Sequence, residues 1–399
     1  MNNGRESWIY ILTVLCAAAT LVSIAAAQIL LAAACLLWIV FRPRPLYLPT
    51  YVVPLLVFMQ TTLLSLAMSP EPARGWAPVR KFVLVAIGLL AANFVNDAVR
   101  VKTAFRILLT VAGAGALTAL IQFAIKYRHF LRTGALRDDP MALDRVKGFM
   151  GHWMTFSGGQ LLIWCAAIPV IVLLGRRWVV PLSLIGIGLV FSYTRSAWLG
   201  AGAGIAVATP WIPRKQLVSI LIPILIVGLL ASPFIYHRYQ LSAQGQFGPD
   251  YGRAALLKVG FQMVREHPWF GVGPERISLE FPRYYEGDPS QFYYGHMQND
   301  FMQIAAERGL LCFVAFLWLL FELFRSFLRF TKSPDQGIRL TAISSICALT
   351  GFLIMGLFEY NFGDSEPFML FLFLMSIPFG MEHALKNRVP TPTADERVS

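Results

Sequence analysis

Charge is scarce in this sequence. Only 14% of its 399 residues are Asp, Glu, Lys or Arg, where a soluble chain carries about 25%. A soluble globule of this length builds its core from far fewer apolar residues than the 56% found here, and the mean hydropathy is +0.59. Cysteine is sparse as well. Cys16, Cys35, Cys165, Cys312 and Cys347 all lie inside apolar stretches and share no motif. That excludes a disulfide framework and a zinc site, both of which need clustered cysteines. No two histidines have metal-ligand spacing, and there is no Asp-x-Asp pair of the kind that holds a metal on a nucleotide sugar. No metal and no cofactor are therefore expected. Gly271 and Gly273 make a turn and not a nucleotide fingerprint, because no strand precedes them and no helix follows. Apolar and polar residues do not alternate as they would in barrel strands.

The apolar residues come in blocks. A helix needs about 20 of them to cross a bilayer, and about twelve blocks approach that length, at roughly 8–25, 26–41, 47–68, 76–95, 103–125, 155–174, 177–193, 196–212, 215–235, 309–329, 338–358 and 365–384. The expected fold is an all-α integral membrane protein of about twelve transmembrane helices. One large loop carries short helices. Residues 1–235 hold the first nine spans, with a basic loop at about 126–154. Residues 236–308 form the large loop, 309–385 the last three spans, and 386–399 a tail. Arg5 and the run Ala25-Ala26-Ala27 imitate a signal peptide. The apolar character continues to Phe41, so an uncut helical hairpin is expected.

The net charge is +12. Lys and Arg in short loops mark the cytoplasmic side. With the N-terminus inside, that side holds Arg42, Arg44, Arg100, Lys102, Arg176, Arg177, Arg214, Lys215, Arg325, Arg329, Lys332 and Arg339. Both termini are then cytoplasmic, and segments 126–154 and 236–308 lie on the other face. Topology does not call for basic residues there, yet Arg80, Arg145, Lys147, Arg195, Arg253 and Arg265 are among those present. Solvation and pairing with Asp138, Asp139, Asp144 and Glu266 account for part of the excess. The rest points to an anionic ligand: a phosphate, a pyrophosphate or an acidic glycan. No nucleic acid partner is expected.

Several residues stand out as carriers of chemistry. Arg195 sits between two apolar blocks with almost no loop, where a charge is costly and is usually functional. Asp250 can cap a helix from about Tyr251 to Glu266, with Ala254, Leu257, Phe261 and Val264 as its apolar face. Arg253 in its first turn opposes the helix dipole and so favours a ligand role, while Arg265 near the other end suits the dipole. The aromatic run Phe281, Tyr284, Tyr285, Phe292, Tyr293 and Tyr294 can pack the loop onto the membrane or stack on sugar rings. His296, Asn299, Gln303 and Glu307 are spaced to form one polar stripe on a helix entering the membrane. A histidine at the head of that stripe suits a general base near neutral pH. His152 enters another span and is a candidate to line the same cavity.

Four of these features together resemble the O-antigen ligase and polymerase superfamily of bacterial envelope enzymes. They are Gly148–Phe156, Thr194-Arg195-Ser196, Gly252-Arg253 with Pro268–Gly273, and His296 with Asn299 and Glu307-Arg308-Gly309. The resemblance implies an inverting glycosyltransferase of the bacterial inner membrane. It would act without metal at the periplasmic face on an undecaprenyl-pyrophosphate-linked glycan donor. It implies Arg195, Arg253 and His296 as catalytic residues. Arg265, Lys147, Arg145, Arg80, His152, Asn299 and Glu307 are, from their positions in the chain, candidates to bind substrate. Where many relatives have a second histidine before the asparagine, this chain has Gln298, which leaves His296 as the base. The acceptor is a lipid A-core sugar in a ligase, the growing glycan in a polymerase, and protein in a third variant. Transport of a lipid-linked or anionic solute is the alternative of a different class. Transporters are often built from internal repeats with midplane sites, and no convincing repeat relates the two halves here.

Overall fold

A computed structural model of the chain describes residues 2–43, 45–133, 145–243, 251–288, 290 and 295–388. The described residues form helices and no strand. In chain order they are α1 (Asn2–Ala19), α2 (Ile24–Phe41) and α3 (Val52–Ala67). Next, α4 (Trp76–Arg80) runs through a 3-10 turn (Lys81–Val85) into α5 (Ala86–Phe94). Then come α6 (Ala98–Thr133), α7 (Trp153–Leu174), α8 (Val179–Phe191), α9 (Arg195–Ala208) and α10 (Arg214–Ala243). The chain ends with α11 (Tyr251–Glu266), α12 (Ile277–Tyr284), α13 (Asp300–Phe330), α14 (Gln336–Gly356) and α15 (Ser365–Arg388).

Seven stretches are long and apolar enough to cross a membrane: Ile24–Phe41, Trp76–Phe94, Ala98–His129, Trp153–Leu174, Asp300–Phe330, Gln336–Gly356 and Ser365–Asn387. The chain is an all-helical, multi-pass membrane protein. The remaining apolar blocks also fall on helices but are shorter or more polar at their ends. α3, for example, has 16 residues, which at 1.5 Å per residue covers about 24 Å of a hydrocarbon core near 30 Å thick. The helix of the 309–329 block begins earlier than the sequence indicates, since α13 starts at Asp300.

Burial separates inner helices from outer ones. α7, α14 and α15 are mostly enclosed by other helices, whereas α2 shows most of its surface outward. A helix apolar all round belongs in such an interior or against lipid. Small residues let α9 cross α14 closely: a Cβ on Gly200 would stand 2.4 Å from the Gly351 carbonyl oxygen. This is the packing mode by which helices associate in lipid.

Connections collect at two ends of the bundle. At one, Tyr10 donates to the Arg100 carbonyl, the Tyr47 amide donates to Asn93, Thr50 donates to Glu322, and Tyr47 stacks on His383. At the other, Arg276 pairs with Glu71, Arg253 with Glu359, Thr155 donates to Asp364, and Asn299 donates to the Leu357 carbonyl. Residues 251–288 and 295–299 belong to this second end.

Two motifs that are far apart in sequence form one joint there. α13 is kinked at Gly309, whose φ is 81°. The kink frees carbonyls in the preceding turn, and in lipid each must find a donor. The 268–273 loop supplies them: the Val272 amide donates to Ala306 O at 3.0 Å and the Gly273 amide to Glu307 O at 2.9 Å. Leu310 N in turn donates to Pro268 O at 2.7 Å. A Cβ on Gly309 would meet the Trp269 carbonyl oxygen at 2.3 Å. Gly309→Ala should therefore lose the left-handed conformation, worth about 1–3 kcal/mol, and also break the joint. The readout is thermal unfolding of the purified protein in detergent, with Gly202→Ala as control because nothing lies within 4 Å of its Cβ position. Equal melting temperatures for the two variants would refute the joint.

Candidate active site

The site is built by the short segments that cap helices at the second end. α7 starts on His152, whose Nδ1 accepts from the Met154 amide at 3.3 Å. α13 starts on Asn299, whose side-chain oxygen accepts from the Met302 amide at 2.8 Å. Just before it, Gln298 takes a left-handed φ of 48°, and its amide donates to His296 Nδ1 at 3.1 Å. Each histidine is thus tied down through Nδ1 by a local backbone contact. Both line one cavity of about 150 Å³, together with Thr155, Glu359, Tyr360, Asn361 and Asp364.

Burial sets the protonation of this cavity. Desolvation lowers the pKa of both histidines, with Asp364 opposing it, so each ring stays neutral near pH 7. Glu359 is 3% exposed, and desolvation pushes its carboxyl up to about 7 despite the opposing pull of Arg253 and Arg145. Its Oε1 takes Arg253 Nη2 at 3.4 Å and the Ser196 hydroxyl at 3.4 Å. Its Oε2 is buried with no hydrogen-bond partner. A carboxyl poised near neutrality, with one oxygen committed to a cation and the other unengaged, is equipped to exchange a proton.

The cationic candidates fall into two groups. Arg253 in the first turn of α11 is half-buried and reaches both Glu359 and, at 3.4 Å, Gln298 Oε1. Its unfavourable place on the helix dipole is explained by these acceptors. Arg195 is exposed on the first turn of α9, next to Ser196. Arg145 lies over the Trp153 ring at 5.0 Å and acts electrostatically on His152 and Glu359. Lys147 is exposed and acts on His152. Arg265 is exposed in the last turn of α11 and does not line the cavity. Nor does Arg80, which is also exposed.

The polar stripe is rearranged. His296 precedes α13 and is not on it. Asn299 caps the helix, and Gln303 accepts from the Met297 amide at 2.7 Å while donating to Glu307. Glu307 is buried beside Arg308 at 3.4 Å. It therefore reaches the His296 segment through Gln303 and the Met297 amide, not by touching the ring. The expected apolar face of α11 is also displaced. Leu256, Val259 and Met263 are buried, while Phe261 is 66% exposed. Of the aromatic run, Phe281 is buried in the small core under α11 and α12, and Tyr284 donates to Glu266 at 3.0 Å. Phe292, Tyr293, Tyr294, Asp250, Asp138, Asp139, Asp144 and Arg44 lie outside the described residues.

Sequence reasoning missed the 357–364 segment altogether. Glu359, Tyr360, Asn361 and Asp364 form much of the cavity wall. The available signal was two acids between the last two apolar blocks of a chain otherwise poor in acids. Among the described residues no three His, Cys, Asp or Glu side chains are grouped to hold a metal ion.

No curated protein matches the chain significantly. Arg195, Arg253, His296, Asn299 and Glu307 all fall within residues 180–317, which match the family model described as Wzy_C, O-Antigen ligase.

Proposed function

We propose that the protein is an O-antigen ligase. It transfers a glycan from undecaprenyl pyrophosphate to a sugar hydroxyl of lipid A-core, with inversion and without a metal ion. The observation that carries this reading is the single cavity shared by His152, His296 and Glu359, with Arg253 paired to Glu359 at 3.4 Å. In the proposed mechanism Arg253 and Arg195 hold the pyrophosphate and stabilise the charge that develops as it leaves. Arg145 and Lys147 add positive potential at the same mouth. His296 receives the proton of the attacking hydroxyl. With Nδ1 accepting from the Gln298 amide, a neutral ring carries its proton on Nε2, so service as a base requires the other tautomer and release of that contact. Glu359, whose pKa lies nearest neutrality, is a further proton acceptor in the cavity and completes the relay. Holding two lipid-linked substrates side by side supplies proximity. The inverted displacement is a single step, in which the hydroxyl oxygen bonds to the anomeric carbon as the pyrophosphate oxygen departs.

In this reading the chain crosses the bacterial inner membrane about twelve times, with both termini cytoplasmic and the cavity facing the periplasm. The supporting pattern is the set of basic residues at the opposite end of the bundle, including Arg100, Arg325 and Arg329. Single cysteines introduced at Ser242 and Ser333 should label from opposite faces, Ser242 from the periplasm. Labelling of both from one side would refute this topology. The reaction itself is tested by reconstituting the protein with a lipid-linked glycan and either lipid A-core or a second lipid-linked glycan. Glycosylated lipid A-core is the expected product. Extension of the lipid-linked chain instead would make the protein a polymerase.

A further inference from the structure

Asn299 and Asp300 open α13, and both reach across to the connection between α14 and α15. The Asn299 side-chain amide donates to the Leu357 carbonyl at 2.8 Å. Asp300 Oδ1 accepts from the Phe362 amide at 3.0 Å. The two contacts bracket residues 357–362, and Glu359 and Tyr360 lie between them. His296 hangs from the same helix end, three residues before Asn299, with its ring held by the Gln298 amide. One helix start therefore carries both proton acceptors, the histidine through the chain and the carboxyl through two side-chain contacts. The Tyr360 ring, 5.8 Å from that of His296, is held in the same bracket.

Asp300 is an unusual residue for this place. An acid in the first turn of a helix favours the dipole from a position at the surface, but Asp300 is 0% exposed. Burying a carboxyl is costly unless its oxygens are engaged, and only Oδ1 is, since Oδ2 is buried with no hydrogen-bond partner. The engaged oxygen takes a backbone amide of an irregular segment, where helical partners are lacking. The Phe362 ring is separately packed against Phe316, Phe352 and Phe371, at 5.1, 5.3 and 5.2 Å. Those rings anchor the side chain. Asp300 fixes the course of the backbone between that anchor and Glu359.

We propose that Asp300 is a positioning residue, which holds the 357–362 segment against the start of α13 and so sets Glu359 and Tyr360 opposite His296. What the positioning serves is the ligase reaction proposed above, and to that extent the assignment rests on that reading. Asp300 does not line the cavity and acts only through the segment. Gly356, at the end of α14, offers a way to dislodge the carboxyl without removing it. A Cβ there would overlap Asp300 Oδ2, so Gly356→Ala pushes the carboxyl off the Phe362 amide.

The test compares Asp300→Ala, Asp300→Asn and Gly356→Ala with the wild-type protein, by hydrogen–deuterium exchange of the full chain in detergent and by glycan transfer after reconstitution. Asp300→Ala and Gly356→Ala should speed exchange of the 357–364 amides by about ten-fold. They should lower kcat by roughly 10–100-fold with donor KM little changed, the cost of a small misplacement. Asp300→Asn keeps a carbonyl oxygen on the Phe362 amide and should stay within about three-fold of wild type in both measurements. The pH profile separates position from charge. Glu359 faces Arg253 of α11, Ser196 of α9, Arg145 ahead of α7 and Asp364 of its own connection, with His152 and His296 in the same cavity. Its carboxyl, pushed up to about 7 by burial, gives transfer that rises with pH through that value. Freeing the segment admits water to Glu359, so this rise should move to lower pH in Asp300→Ala and Gly356→Ala and stay in place in Asp300→Asn. Wild-type exchange rates in Asp300→Ala overturn the proposal. So does an Asp300→Asn protein as impaired as Asp300→Ala, or a loss confined to KM. If the wild-type protein transfers no glycan, the ligase reading falls, and the exchange rates alone decide whether Asp300 holds the segment.

Discussion

His296→Ala should reduce glycan transfer by roughly 10²–10⁴-fold, the usual cost of losing general acid–base catalysis, while donor binding is largely kept. Binding survives because the anion is held by arginines that do not depend on the ring. The neighbour Gln298 cannot substitute, since an amide accepts no proton near neutral pH. His152 is the competitor. It lines the same cavity, is capped through Nδ1 in the same way, and is likewise held neutral by burial. The two variants His296→Ala and His152→Ala are assayed side by side, with donor binding measured separately. A His296→Ala protein that keeps more than about a tenth of wild-type turnover would hand the role to another group. His152→Ala losing the larger share would name that group.

The second large effect is expected at Glu359. Its folded pKa is raised to about 7 by burial, so the carboxyl is protonated below that pH and can accept a proton above it. Transfer should therefore rise with pH through about 7 in the wild-type protein. His296, whose pKa burial lowers, is already neutral there and does not set this limb. Glu359→Gln removes the acceptor and the charge that pairs with Arg253, and should cost about 100-fold or more at pH 8. What activity remains should lack the limb near 7. Glu359→Asp keeps the charge on a shorter arm and should retain the limb with a reduced rate. A Glu359→Gln protein with near-normal turnover and an unchanged pH profile would remove Glu359 from the relay.

The helical, membrane-embedded character was legible in the sequence because apolar blocks near 20 residues have few other uses. The site was half legible. Arg253 betrayed itself by opposing a helix dipole, and His152 and His296 by standing at the mouths of apolar helices. Periodicity misled where a helix has apolar residues on more than one face. In α11, Leu257 and Phe261 compete with Leu256, Val259 and Met263 for the interior, and spacing alone cannot choose between them. The choice is made by α13, where Met302 packs onto Gly260 so closely that a Cβ there would stand 2.6 Å from it.

By itself, then, the sequence determined which segments are apolar helices, where the basic residues lie along the chain, and which polar residues stand at helix mouths, because these are properties of neighbouring residues. Tertiary structure alone decided what meets across the bundle. Glu359 and Arg253 are 106 residues apart, and nothing local to either announces the pair. The 268–273 loop and Gly309 are two glycine-bearing motifs until the freed carbonyls of one are seen to take the amides of the other. In lipid no water is present to satisfy those groups, so the partner has to come from elsewhere in the chain, and only the fold shows which segment provides it.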